Sequence, residues 1–260
     1  MAWRYCGNQI KLWRTQAGVT REGLGKEANY DYEYVKSMEQ GRRKPTLRLL
    51  EVADEMCGAR GMLLAAQDYL KPERFLSYVQ DFVRYEADAI AHSSYQPQVI
   101  PGLLQTEEYA RKLIGAHWPP LDDETIDVRV AARLERQALL EKQTRAFSFA
   151  VGEGAVRFPI DSADAHKRQL DHLSHMLMRR NITVQIMPFG GVHPGLEGSF
   201  VLLETPEHEH LAFEEGQMTG ILYADPAKVS IIMQRHALIL QRALSPEESA
   251  RFITSLAEEL

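Results

Sequence analysis

The spacing of apolar positions divides the chain in two. Up to about residue 70, apolar residues recur at helical intervals in short runs punctuated by turn residues. Ile10, Leu12 and Trp13 mark the apolar face of a first helix that stops at Ala17-Gly18. Thr20 is placed to cap a second helix, "TREGLGKEA", with Leu24 and Ala28 inward. Gly25 lies inside that helix, where glycine costs up to ~1 kcal/mol relative to alanine. A close helix crossing is the expected reason. Asp31 caps a third helix with Val35 and Met38 inward, and Gly41 ends it. "RRKPT" reads as a loop. Thr46 caps a fourth helix with Leu47, Leu50, Ala53 and Met56-Cys57 at helical spacing, and "GMLLAAQDYL" is a short fifth.

Beyond Pro72 the pattern changes. Residues 73–95, "ERFLSYVQDFVRYEADAIAHSSY", predict one long amphipathic helix, with Tyr78, Phe82 and Tyr85 as packing aromatics. After a loop at Pro97 and Pro101-Gly102, Thr106 caps a helix with Glu107 and Glu108 in its first turn. Residues 122–143 form another. Five runs, "AFSFAV", "ITVQIMPF", "SFVLLET", "HLAFEE" and "TGILYAD", then read as strands bounded by Gly, Pro, Asn or Asp. A helix over 162–180 separates the first two strands, and helices over 226–243 and 246–259 close the chain. The expected fold is an all-α domain over residues 1–70, then an α+β domain over 71–260 whose small mixed sheet is flanked by helices.

Composition is 45% hydrophobic and 25% charged, which excludes a disordered chain. No stretch approaches the ~20 apolar residues of a membrane helix. No signal-peptide pattern opens the chain, so a cytoplasmic location is expected. Cys6 and Cys57 are too few for a disulfide scaffold or a thiolate metal site. The net charge of −6 divides unevenly, with +3 on residues 1–60 and −9 on the remainder. A basic head on an acidic body suits a nucleic-acid module joined to a part that does not touch nucleic acid. Yet the third helix opens Asp31-Tyr32-Glu33-Tyr34, an acidic start for a DNA-reading element.

Residues 7–60 resemble the helix-turn-helix of the Cro/C1 (XRE) phage-repressor family. The resemblance rests on the "VTREGLG" entry, a nine-residue third helix, the "MEQGRRKP" exit and the helix after it. It implies that the third helix enters the major groove. Carried over by position, base contacts fall on Tyr32, Glu33 and Ser37. Phosphate contacts fall on Arg21, Gln40, Arg42, Arg43 and Lys44, with Lys36 adding charge beside the helix. Arg14 and Glu39 occupy positions that pair in the family, implying a partly buried ion pair. Phosphates supply most affinity and base edges supply specificity, so acid at the reading surface is no contradiction. A glutamate accepts from a cytosine amine, and Asp31 needs no role beyond its cap. A helix-turn-helix reused for protein contacts is the bland alternative.

Residues 95–114, 133–140, 184–204 ("VQIMPFGGVHPGLEGSFVLLE") and 245–249 ("SPEES") resemble, in order, the C-terminal domain of actinomycete WhiJ-type, antitoxin-like regulators. Around "AVGEGAVRF" the chain departs from that family, keeping only Glu153 of an acidic element. The resemblance implies a homodimeric DNA-binding regulator on a double-stranded operator, in developmental or secondary-metabolism control. A small partner protein or small-molecule effector would act on the body. The alternative is an antitoxin-like protein whose main task is to sequester a small partner.

Other chemistry is weaker. His166, His172 and His175 share a helix without a further ligand at metal spacing, and surface histidines are the expectation. His208 and His210 sit among acids and read the same way. "PFGGVHPGLEGS" lacks the Lys-Ser/Thr of a phosphate loop, so it reads as a flexible connection, with Phe189, His193 and Glu197 as candidates to line a pocket. "IPGLLQT" reads as a structural turn. No cofactor, metal or nucleophile motif is evident, and no enzymatic activity is expected.

Overall fold

A computed structural model describes residues 2–70, 79–217 and 219–260. They form two compact units, residues 1–72 and 73–260.

The first unit is all helical: α1 (Ala2–Gln16), α2 (Arg21–Ala28), α3 (Tyr32–Glu39), α4 (Leu47–Met56) and the single turn α5 (Gln67–Leu70). Thr20, Asp31 and Thr46 each cap the following helix by accepting a backbone N–H three residues on. Ile10, Leu24, Val35, Met38, Leu49 and Leu50 are fully buried and make one core. Three expectations need correction. α1 begins at Ala2, and its inner face is Cys6, Ile10 and Arg14, while Leu12 is exposed. Leu47 and Met56 of α4 are exposed, and Leu49 and Val52 turn inward instead. α3 has eight residues, because Asp31 is the cap and lies outside the helix.

Glycines fix how closely these helices approach. A Cβ on Gly7 would sit 2.1 Å from the Met38 carbonyl oxygen, so α1 crosses α3 backbone to backbone at this point. Gly25 has a different reason from the one expected. Its Cβ would lie 2.6 Å from the Tyr30 carbonyl oxygen, so the tight α2–α3 turn, not a crossing helix, excludes a side chain. Gly41 leaves α3 at φ +68°, a left-handed conformation that glycine adopts without strain.

The second unit is built on a six-stranded mixed sheet in the order β3-β2-β1-β4-β5-β6. The strands are β1 (Ala91–Gln96), β2 (Ala146–Gly152), β3 (Ile182–Met187), β4 (Phe200–Glu204), β5 (His210–Glu215) and β6 (Gly220–Tyr223). β1, β2 and β3 pair in parallel, and β4, β5 and β6 continue antiparallel. Parallel neighbours need long crossovers. Helices α7 (Glu107–Gly115) and α8 (Asp123–Arg136) fill the first, and α9 (Glu153–Arg157) and α10 (Ala163–Leu177) the second. Phe147, Phe149 and Val151 face α10 and α12 (Pro246–Glu258), while Ala150, Phe200 and Ala212 face α11 (Pro226–Leu240). Phe82 of α6 (Gln80–Asp88) packs with Val201, Leu203 and Phe213.

The single helix expected over residues 73–95 is not what forms. α6 ends at Asp88, and Ala91–Gln96 is a strand in the middle of the sheet. The inward positions of this strand include His92 and Ser94, so no alternation of apolar residues announces it. The Tyr78 expectation lies outside the described residues. Phe82 is buried and Tyr85 is exposed.

We expect Gly7→Ala to destabilise the first unit selectively. Overpacking against backbone costs ~1–3 kcal/mol, and each kcal/mol moves a domain of this size by ~4–8 °C. Calorimetry of the full chain should show one transition lowered and the other unchanged. An unaltered thermogram would contradict the backbone contact between α1 and α3.

Candidate nucleic-acid interface

The placement of α3 begins in the turn before it. Asn29 ends α2 in the left-handed region at φ 62°, and the Tyr30 N–H donates to the Gly25 carbonyl. The Asp31 carboxylate then accepts from the Tyr34 N–H at 2.7 Å, fixing the first turn of α3 and placing negative charge at the positive dipole end. Tyr32, Glu33 and Gln40 are left exposed, while Val35, Met38 and Glu39 face inward.

Glu39 is the hub of this arrangement. Its side chain is 0% exposed, and it accepts from Arg14 of α1 at 2.5 Å (Nε) and 3.2 Å (Nη2), and from Arg21 Nε of α2 at 2.7 Å. Arg14 also donates from Nη1 to the Val19 carbonyl at 2.8 Å. One carboxylate thus ties three helices and the α1–α2 connection together. Arg21 is therefore not simply a free phosphate contact. Its remaining Nη1 donates to the Tyr32 hydroxyl at 3.0 Å, and the guanidinium carbon lies 5.6 Å from the Tyr32 ring centroid. Lys36 Nζ lies 5.6 Å from the same ring. Two cations thus lie 5.6 Å from the exposed Tyr32 ring.

The remaining candidates surround it. Glu33 pairs with Lys36 at 3.0 Å across one helical turn, and both groups reach solvent. Ser37 donates its hydroxyl proton to the Tyr34 carbonyl at 2.7 Å, so its lone pairs remain available to accept. Arg42 hydrogen-bonds the Gln40 side chain, Arg42 and Arg43 are exposed, and Lys44 is half-buried. Sequence reasoning missed the aromatic shelf beneath Arg43. Tyr30 and Tyr34 stack at 5.0 Å, and the Arg43 guanidinium lies 4.6 Å from the Tyr34 ring centroid. The pair is separated by one turn of chain, and that spacing was the available signal. Tyr32, Glu33, Lys36 and Ser37 thus share one side of α3, with Arg21 against Tyr32 and Arg43 against Tyr34.

The loop candidates of the second unit do not share one site. Phe189 is exposed, and its backbone N–H donates to Glu153 at 2.7 Å. Glu197 pairs with Arg235 of α11 at 2.7 Å, and His193 accepts from the Gly195 N–H and meets the Tyr95 ring edge-on. His166, expected at the surface, is buried, while His175 is exposed. Among the described residues no three His, Cys, Asp or Glu gather as metal ligands, and no helix is long and apolar enough to cross a membrane.

Removing the hub should be costly. Glu39→Ala leaves two guanidiniums without their shared acceptor, and breaking a buried pair costs ~3–5 kcal/mol. Glu33→Ala removes only an exposed bridge worth ~0–1 kcal/mol. Thermal melts of the two variants should therefore differ by about 8 °C or more in the first unit at ~4–8 °C per kcal/mol. Equal melting temperatures would contradict the role assigned to Glu39.

Two family models match the chain. One, described as a helix-turn-helix domain, covers residues 7–67, and the other, described as a domain of unknown function (DUF5753), covers residues 79–255. No curated protein and no solved structure matches. The second match spans more than half of the sequence, so the chain belongs to the DUF5753 family and carries an N-terminal helix-turn-helix domain of the kind found in DNA-binding regulators.

Proposed function

We propose that this protein is a sequence-specific transcriptional regulator of the actinomycete WhiJ type. The reading helix is α3, and the second unit supplies dimerisation and signal input, not catalysis. The observation that carries this reading is the exposed part of α3, where Arg21 and Lys36 meet Tyr32 and Glu33, Ser37 lies one turn on, and Arg43 rests on the neighbouring Tyr34. Flanking cations neutralise phosphates and set affinity, while groups on the helix meet base edges. Glu33 accepts from a cytosine N4 amine, Ser37 accepts from a base donor, and Tyr32 packs on a thymine methyl. The Glu33–Lys36 bridge holds the glutamate in check until Lys36 turns to a phosphate, and opening so exposed a bridge costs at most ~1 kcal/mol. A homodimer would set two such helices on half-sites about 34–36 Å apart.

Genome-wide mapping of bound DNA followed by gel-shift titration tests the reading. Glu33→Ala should alter preference at one base position by ~1–3 kcal/mol, while Arg43→Ala weakens binding to all probes and lowers the salt slope by about 1. Light scattering should give twice the 29.6 kDa chain mass. Equal loss on every probe for both variants would show that α3 is not read in this register. A chain that binds a small protein tightly and DNA only at its own promoter would favour the antitoxin-like reading instead.

A further inference from the structure

The second unit holds a cavity of about 480 Å³ against the β1–β4–β5 part of the sheet, beneath α6, α8 and the segment 99–105. Small-molecule sites range over ~300–1,000 Å³. Much of the lining is apolar: Phe82 and Phe213 stack at 4.5 Å, and Phe149, Leu113 and Ile114 add to it. Polar groups are interleaved with these rings, His92 lying 5.4 Å from Phe149 and Arg136 5.9 Å from Phe82, and several lack partners. Ser94 is 1% exposed and His92 5%, yet Ser94 Oγ, His92 Nδ1 and Arg129 Nε make no hydrogen bond. Each buried polar atom left unsatisfied costs ~1–3 kcal/mol, so three lining one cavity form an unusual cluster.

The charges are also unbalanced. Arg129, Arg133 and Arg136 line the cavity with Glu86 and Glu215. Arg136 donates twice to Glu86 at 2.8 Å, and His92 Nε2 lies 3.4 Å from the same carboxylate. Burial alone would raise Glu86, but these neighbours hold it below its ordinary value, so its charge is spent on them. Arg133 donates to the neutral Gln105 side chain at 2.7 Å. Burial first and the nearby Arg136 second push Arg133 down to about 10, against the opposing pull of Glu215. Burial raises Glu215 despite the pull of Arg133 and Arg136. Three guanidiniums against two carboxylates leave one positive charge in a largely apolar lining.

We propose that this cavity binds a small organic monoanion, a carboxylate on an apolar aromatic or alkyl body. The head would lie against Arg133 and Arg129, whose planar donors match two carboxylate oxygens. Ser94 and His92 would supply the remaining hydrogen bonds, and the body would lie on Phe82, Phe149 and Phe213. The site belongs to the second unit alone. Its use as a signal input rests on the regulator reading above.

The test is calorimetric titration of the full chain with benzoate, 4-phenylbutyrate, indole-3-acetate and octanoate, each beside its primary amide, and with inorganic phosphate. At least one acid should saturate at one per chain, ten-fold or more tighter than its amide, with phosphate not saturating. Arg133→Gln should weaken that acid ten-fold or more. Val99→Trp, which fills the cavity from a half-buried wall position and leaves every charge in place, should abolish binding. Circular dichroism melts establish that both variants fold. The proposal is overturned if no acid surpasses its amide, if phosphate alone saturates, or if neither folded variant weakens binding. A chain that binds the acid but no DNA keeps the site and removes the regulator reading. One that binds an operator but no acid does the reverse.

Discussion

The geometry of the first unit turns on one buried carboxylate. Glu39 sits on the inner face of α3, where an isolated charge would be strongly disfavoured, and it is stable there only because Arg14 and Arg21 reach it from two other helices. Their demand runs both ways: two guanidiniums sharing one acceptor keep a net positive charge at the base of α3. Arg21 is the pivot, since the same side chain that meets the buried carboxylate also holds the hydroxyl of the exposed Tyr32. The interior of the unit is thereby linked through one side chain to the outer surface of α3.

This linkage resolves the acidity of the helix. Asp31, Glu33 and Glu39 lie in or beside it, and each carboxylate has a separate local partner. Asp31 is occupied by a backbone N–H, Glu33 by Lys36, and Glu39 by two arginines. Asp31 and Glu33 both reach solvent, and Glu39 is the buried one of the three. The exposed cations at 42 and 43 follow α3 on a turn that Gly41 makes possible. The local field near the helix therefore differs in sign from the net charge of the whole chain. The overall −6 is carried by the other unit and does not describe this surface.

Local chemistry was readable in the sequence wherever it is local in the structure. Thr20, Asp31, Thr46 and Thr106 all cap as their positions imply, because a cap depends on three neighbouring residues. Five of the strands were legible from β-branched and aromatic runs. What escaped was set by distant partners. The exposure of Leu12 follows from where α3 crosses α1, and that crossing is decided at Gly7, whose neighbour Met38 is thirty-one positions away. The second arginine on Glu39 and the seating of Arg43 on Tyr34 were hidden for the same reason, since each joins separate helices or a helix and a loop; only the Tyr30–Tyr34 spacing itself was local.

The strand Ala91–Gln96 is the most instructive omission. A strand paired on both edges is normally recognised by its apolar inward face. Here that face includes His92 and Ser94, between Phe147 and Phe149 on one neighbour and Val201 and Leu203 on the other. The backbone pairing is intact and Tyr95 packs into the core on the other face, so on this face the strand is held by its ladder and its neighbours. Polar residues in such a position work against stability unless something offsets them. Glu86 and Arg136 answer part of this for His92, and nothing among the described residues answers it for Ser94. The departure from hydrophobic patterning that concealed the strand and the cluster of unsatisfied polar atoms on the cavity wall thus have a common origin: chemistry placed where the fold alone would have placed hydrocarbon.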